Sequence, residues 1–407
     1  MKESFLEKYF NPVNSCLILA ETYPPLKDGV AHAAQAVGEG LAARGYKVTV
    51  GTGFCAERIS QPADANPMVH QFKVSGSIRL GDHIRGETEA FKQLVADYRG
   101  DFIICHHWPS WTTDLAREAF DGTPAQKILL SHGLGAHRVP WHRTFPWGLS
   151  AWLKWLPYIL RLPLTMRQFD QLIFLSRKRD FGRFFDHTLA WLTGYKKVSI
   201  IPNGADPQKF AGDLPAFRQK HGLGDEIMFL YVGTFTVGKN QEMALRAFRR
   251  AGLGKAALVF IGPEFNEYAR RVMRSDENDA PKGKVLFLEK ISREETCAAF
   301  RASDIVVMSP RPHAETQPLV LLEAMACEKP FLSTDVGCAS EMPGGLVVHT
   351  EEEMSAAMQQ LSRDSDRRLA LGLAGRKAVA ETYNWEKIID AYEALFKRLA
   401  NENPLER

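Results

Sequence analysis

Short unbroken apolar runs alternate along the chain with stretches in which apolar residues recur every three or four positions. The runs read as strands buried on both faces of a parallel sheet, and the stretches between them as amphipathic helices. The first strand is predicted at residues 16–20. A loop at 21–29 leads into a small-residue helix over about 30–44, Gly45 ends it, and 47–50 forms the next strand. This β–α–β opening puts the 21–29 loop where a doubly wound sheet binds its ligands. Further strands are predicted at 102–105, 127–131 and 172–176. After the turn-forming Pro202-Asn203-Gly204 the pattern begins again, with a strand at 227–232, a helix at 241–250, and strands at 257–261, 285–288, 305–308 and 331–333. Near the end Trp385, Ile388, Ile389, Tyr392, Leu395, Phe396 and Leu399 fall at helical spacing. The chain thus reads as α/β: two consecutive doubly wound units joined near residues 202–207.

Composition narrows the class. A length of 407 residues exceeds one ordinary core, and 45% hydrophobic with 24% charged residues is the balance of a globular protein. A net charge of +3 gives no reason to expect nucleic acid as a partner. Cys16, Cys55, Cys105, Cys297, Cys327 and Cys338 are scattered without C-x-x-C spacing, as expected of free thiols in a reducing cytoplasm. The first twelve residues lack the apolar segment of a signal peptide, and no apolar run approaches the ~20 residues of a membrane span. The absence of G-x-G-x-x-G after the first strand argues against a dinucleotide oxidoreductase.

The most informative stretch is His313-Ala-Glu315-Thr316-Gln317-Pro318-Leu319-Val-Leu-Leu-Glu323-Ala-Met-Ala326. Two carboxylates stand eight residues apart across a loop and the first turns of an apolar helix, with Pro318 suited to the helix start. Helix-start amides favour anions. A diphosphate could rest there while carboxylates take sugar hydroxyls; a solvated acid beside a helix-surface Glu is the plainer alternative, and spacing alone leaves both open. Lys239 follows a buried strand and precedes a helix, and His132 follows another apolar strand. Asp364-Ser-Asp366 is the only D-x-D, lies in a charged stretch, and reads as a solvated face, so no divalent metal is expected.

Glu315-x7-Glu323 followed by Ala-Met-Ala resembles the retaining glycosyltransferases of the large group 1 family (family 4), which share the GT-B architecture. Other segments fit in the same order: Ser131-His132-Gly133, Pro202-Asn203-Gly204-Ala-Asp206, Tyr231-Val-Gly233 through Lys239-Asn240, and Thr334 through Gly337 to Glu341. The resemblance implies two Rossmann-like domains facing a central cleft: an acceptor domain at 1–204 and a donor domain at 205–384, with a C-terminal helix at 385–400 crossing back to the first. It implies a nucleotide-diphosphate sugar as co-substrate, and transfer to a saccharide or lipid-linked acceptor. It gives Glu315 the donor-sugar hydroxyls, Glu323 the ribose hydroxyls, Lys239 the departing diphosphate and His132 a sugar hydrogen bond. Gly29 would allow close approach of the diphosphate, and Gly233, Thr234, Asn203, Thr316, Gln317, Pro318 and Leu319 would line the donor site. Two departures stand out. Thr234 occupies the place of the arginine that commonly follows the glycine of the diphosphate loop, and Asp28-Gly29 replaces a Gly-Gly pair. Thr234 is the feature that favours a non-catalytic nucleotide-sugar-binding scaffold; an epimerase or phosphorylase finds no support in the residues.

Residues 122–169 contain no Asp or Glu but carry Lys127, Arg138, Arg143, Lys154, Arg161 and Arg167, with Trp141, Trp147, Trp152 and Trp155 among them. Basic residues beside tryptophans suit either an anionic membrane surface or the wall of an acceptor pocket. Pro157 and Pro163 are expected to break the helix there, giving an interfacial segment. The expected location is cytoplasmic, peripheral on the inner face of the membrane.

Overall fold

The computed structural model describes residues 14–402 apart from 27, 77–82, 135–146 and 278–282, and the backbone alone for 147–155. The chain divides into two compact units. One comprises Met1–Arg177, Phe185–Ile201 and Ile389–Arg407, the other Lys178–Phe184 and Pro202–Ile388.

The first unit is built on seven parallel strands: β1 (Ser15–Ala20), β2 (Lys47–Gly53), β3 (Met68–Phe72), β6 (Phe102–His106), β7 (Gln126–Ser131), β8 (Gln171–Phe174) and β9 (Val198–Ile200). A small hairpin of β4 (Val74–Ser75) and β5 (Arg85–Gly86) interrupts the series. The order across the sheet is β3-β2-β1-β6-β7-β8-β9. The second unit carries six parallel strands, β10 (Ile227–Val232), β11 (Ala256–Gly262), β12 (Lys284–Glu289), β13 (Ile305–Met308), β14 (Phe331–Thr334) and β15 (Gly345–Val348), ordered β12-β11-β10-β13-β14-β15. Each sheet therefore reverses direction beside its first strand, between β1 and β6 and between β10 and β13. In a doubly wound sheet the crevice at the carboxyl ends of those strands is where ligands bind. The fold is the pair of Rossmann-like domains of the GT-B class.

Burial explains why these segments became strands. The side chains of Cys16 to Ala20 and of Ile305 to Met308 are fully inaccessible, because helices cover both faces of each sheet. Between β1 and β2, helix Gly29–Ala43 lays Ala31, Ala34, Val37 and Leu41 on the first sheet. At the other end of the chain, helix Trp385–Glu402 buries Tyr392, Leu395, Phe396 and Leu399, and Phe396 stacks on Phe102 of β6 at 4.1 Å between ring centroids. Each such aromatic contributes about 1.5–3 kcal/mol by leaving water. A methyl on Gly40 would meet Ile389 Cγ1 at 2.5 Å, so only glycine lets helix Gly29–Ala43 approach this last helix so closely.

One expectation needs correction. Helix Trp147–Met166 runs twenty residues straight through Pro157 and Pro163. Each proline removes one backbone hydrogen bond at a cost of about 3 kcal/mol. Leu162 and Met166 are fully buried in the first unit's core, and their burial offsets part of that cost. Arg138, Trp141 and Arg143 lie outside the described residues, as do the side chains of Trp147, Trp152, Lys154 and Trp155. Among the described residues no helix is long and apolar enough to cross a membrane.

Candidate active site

In the second unit, Tyr231 stands one residue before the end of β10, and its buried hydroxyl donates to the carbonyl of Lys239 at 2.6 Å and so folds the following loop back on its strand. The loop from Gly233 to Asn240 is tied on every side. Gln241 Nε2 donates to the Thr234 carbonyl (3.0 Å), Asn266 Nδ2 to that of Phe235 (2.6 Å), and Ser309 Oγ to that of Asn240 (2.7 Å). The amides of Lys239 and Arg311 donate to Thr236 Oγ1 (3.1 Å) and the Gly238 carbonyl (2.8 Å). These bonds fix the backbone that carries Lys239. Asn240 closes it in the left-handed conformation (φ 56°), and helix Gln241–Ala251 begins without a side-chain cap.

Lys239 Nζ is paired with Glu315 Oε1. The two residues lie 76 positions apart and meet because β10 and β13 are neighbours at the reversal point of the sheet. The Glu315 loop is buttressed by the turn after β14. Cys338 N donates to the Thr316 carbonyl at 2.8 Å, and Gly337 (φ 49°) passes so close that a methyl there would stand 2.0 Å from that same carbonyl oxygen. Arg183 fixes the turn in place by donating twice to the Asp335 carboxylate, at 2.8 and 2.6 Å. Those hydrogen bonds hold the Asp335 carboxyl below its usual range.

Glu323 sits on helix Leu319–Ala326, which starts at Pro318 without a side-chain cap. Its Oε1 is engaged by Arg293 Nη2. Sequence reading missed Arg293. The signal available was a cation in the first turn of helix Arg293–Ala302, where the helix dipole favours acids. Gln317 and Asn203 are buried and joined to each other, the Asn203 amide donating to Gln317 Oε1 at 2.6 Å, so both brace the loop. Thr234 is exposed and Pro318 buried, while Gly233, Thr316 and Leu319 are half-buried. Asp364 caps helix Ser365–Glu381, accepting from Arg367 N at 2.8 Å.

In the first unit, Asp28 caps helix Gly29–Ala43 by accepting from Ala31 N at 2.8 Å, which accounts for an aspartate where a glycine is usual. Gly29 is thereby the helix's exposed first residue. His132 follows β7 and His106 ends the adjacent β6; His106 Nδ1 and His132 Nε2 are 3.2 Å apart. Desolvation, then the neighbouring His107, lowers His106 to about 3. Desolvation followed by the two neighbouring histidines depresses His132 as well. Both rings are therefore neutral at physiological pH. Behind them the fully buried Asp186 accepts from Trp108 Nε1 (2.7 Å) and from Ser131 Oγ, and Ser131 Oγ in turn accepts from Gly133 N at 3.0 Å. This buried carboxylate holds the turn that carries His132, a role the sequence alone did not suggest.

Residues 213–378 match the family described as glycosyl transferases group 1. Among curated relatives, the chain is 29% identical over 211 residues to a D-inositol 3-phosphate glycosyltransferase of Stackebrandtia nassauensis, covering 48% of this chain and 47% of that one. It is 30% identical over 203 residues to a GDP-mannose-dependent alpha-(1-6)-phosphatidylinositol monomannoside mannosyltransferase of Mycolicibacterium smegmatis, covering 46% and 52%. The chain thus spans about half the length of the curated relatives it matches. Solved structures match along nearly the whole chain. Sucrose-phosphate synthase from Thermosynechococcus elongatus has a TM-score of 0.75 at 20% identity, covering 96% of this chain and all of that one. Anabaena Alr3699/HepE in complex with UDP-glucose has a TM-score of 0.70 at 14% identity, covering 94% and 99%. At these identities they establish the fold alone.

Proposed function

From the match of residues 213–378 to the group 1 glycosyltransferases, we propose that the chain belongs to that family and is a retaining transferase that uses no divalent metal. It moves a sugar from a nucleotide-diphosphate donor to a saccharide or lipid-linked acceptor in cell-surface glycan or glycolipid synthesis. The observation that carries this reading is the Lys239–Glu315 pair at the reversal point of the second sheet. Transfer breaks the bond between the anomeric carbon and the diphosphate oxygen and forms one to the acceptor oxygen, whose proton leaves with the diphosphate. Negative charge grows on the leaving group and positive charge on the sugar, so a fixed cation and oriented dipoles lower the barrier. Lys239 meets the diphosphate. In doing so it exchanges its carboxylate partner for phosphate oxygens and frees Glu315 for the sugar hydroxyls. The uncapped start of helix Leu319–Ala326 supplies amides of the right polarity. Glu323, steadied through one oxygen by Arg293, accepts from the ribose hydroxyls, and His132 hydrogen-bonds a sugar hydroxyl.

The acceptor is proposed to be membrane-proximal. Leu160, Leu164, Trp191 and Leu192 are exposed large apolar residues of the first unit, with Arg161 and Arg167 among the same segments. Co-sedimentation with anionic vesicles at low salt tests this part, and no binding would remove it.

A thermal-shift panel of UDP-, GDP-, ADP- and TDP-sugars, with and without EDTA, tests the donor. Stabilisation by one nucleotide class, unaffected by EDTA, is expected; no stabilisation by any of them would sink the reading. A Glu315→Ala variant with full transfer activity would refute that residue's role. The exposed Thr234 favours a second reading, a nucleotide-sugar-binding scaffold without turnover. Binding in the panel with no transfer to any acceptor would select it.

A further inference from the structure

We propose that His106 is a positioning residue that fixes the tautomer of His132, so that His132 presents an N–H and not a lone pair at its Nδ1. Its functional consequence rests on the role proposed for His132, but the tautomer itself can be measured without it. The two rings sit at the ends of adjacent parallel strands, where His106 is held by the register that places it beside Leu130. Their planes are inclined by 25°, and His106 Nδ1 lies 3.2 Å from His132 Nε2. That distance requires one hydrogen between the nitrogens, and both rings are neutral, so each carries one hydrogen in total.

Two arrangements are possible, and burial separates them. If His132 donated from Nε2, His106 would have to carry its own hydrogen on Nε2. That atom is fully buried and has no hydrogen-bond partner among the described residues. An orphaned buried N–H is among the rarest features of folded proteins, whereas an under-used acceptor is tolerated more often. Hence His106 donates from Nδ1 and leaves its bare Nε2 in the core. His132 accepts at Nε2 and carries its hydrogen on Nδ1. The Asp186–Ser131–Gly133 bonds fix the turn, and Thr113 Oγ1, donating to the His107 carbonyl at 2.6 Å, fixes the backbone after β6.

The consequence is a direction of recognition. At Nδ1, His132 donates to a lone pair of a hydroxyl or an anionic oxygen, and it does not act there as a general base. Two-bond proton–nitrogen spectra of the full chain, labelled with nitrogen-15 histidine and assigned with His132→Gln, read the tautomer directly. A protonated Nδ1 and a bare Nε2 on His132 are expected at pH 7.5, and the reverse pattern would overturn the proposal. His106→Asn retains an N–H donor near the position of Nδ1. It should keep the His132 tautomer and leave kcat within about threefold. His106→Leu should let His132 mix tautomers and lower kcat about tenfold, the worth of one neutral hydrogen bond. An unchanged His132 pattern in His106→Leu would refute the coupling. Should that variant fail to fold, the wild-type and Asn spectra decide alone. Failure to find any transferase activity would count against the proposed function and leave the tautomer result standing.

Discussion

Asp114, on helix Trp111–Glu118 between β6 and β7, is a buried carboxylate that the proposed chemistry does not use. Desolvation raises it to about 6 from an ordinary 3.8, although Arg117 stands 3.4 Å away and Tyr158 Oη 3.5 Å. A raised carboxyl pKa means that the folded state holds its proton to higher pH than the unfolded state. The group therefore weakens the fold as pH rises from about 4 to 6, and the penalty persists above that window. At 1.36 kcal/mol per pH unit the penalty is about 3 kcal/mol at pH 7.5 and shrinks to about 0.5 kcal/mol at pH 4. Asparagine resembles the protonated acid. Asp114→Asn should raise the Tm of the transition that unfolds the first unit by about 6 °C at pH 7.5 in scanning calorimetry. At pH 4 the gain should nearly vanish. An unchanged Tm at pH 7.5, or a gain of the same size at both pH values, would refute the reasoning.

Gly337→Ala should cost about 2 kcal/mol or more and depress transfer, because its methyl would meet the Thr316 carbonyl at 2.0 Å and shift the Glu315 loop; urea unfolding and activity check it together. Lys239→Met should lower kcat/KM about tenfold or more, the worth of a charge-assisted hydrogen bond to the diphosphate, and steady-state kinetics with varied donor would show it. Arg293→Met, which leaves Glu323 without its guanidinium, should raise the donor KM severalfold with kcat nearly unchanged, and equal kinetics would remove Arg293 from the ribose site.

The strands at 227–232 and 305–308 were legible to the residue because each is a continuous apolar run buried on both faces. The edge strands Met68–Phe72 and Val198–Ile200 were not, although the edge strand at 285–288 was. Met68–Phe72 carries His70 and Gln71, and Val198–Ile200 spans three half-buried residues, so neither presents a two-sided apolar signal. Helix Trp147–Met166 defied its prolines because tertiary burial outweighed a local rule. In the candidate site, residue types were readable but partnerships were not. Lys239 and Glu315 were both singled out, yet their pairing depends on the adjacency of β10 and β13, which emerges only when the sheet is assembled. His106 and Asp186 carry no pattern in the sequence that sets them apart, and only three-dimensional contact shows what they hold.

Helix Trp385–Glu402 bears on how such chains could be recombined. The first compact unit is discontinuous: it closes with residues from Ile389 onward, whose Phe396 lies on Phe102 and whose Ile389 fills the space beside Gly40. The second unit begins at Pro202, with Ala205 bridged to Asn384 and Gly204 against Trp385. A hybrid joined by a single crossover near residue 202 would inherit its last helix from the wrong parent, and that helix would meet a foreign surface at Phe102 and Gly40. Exchange of the second unit between relatives therefore calls for two crossovers, near 202 and near 388, so that the final helix travels with the half whose core it completes.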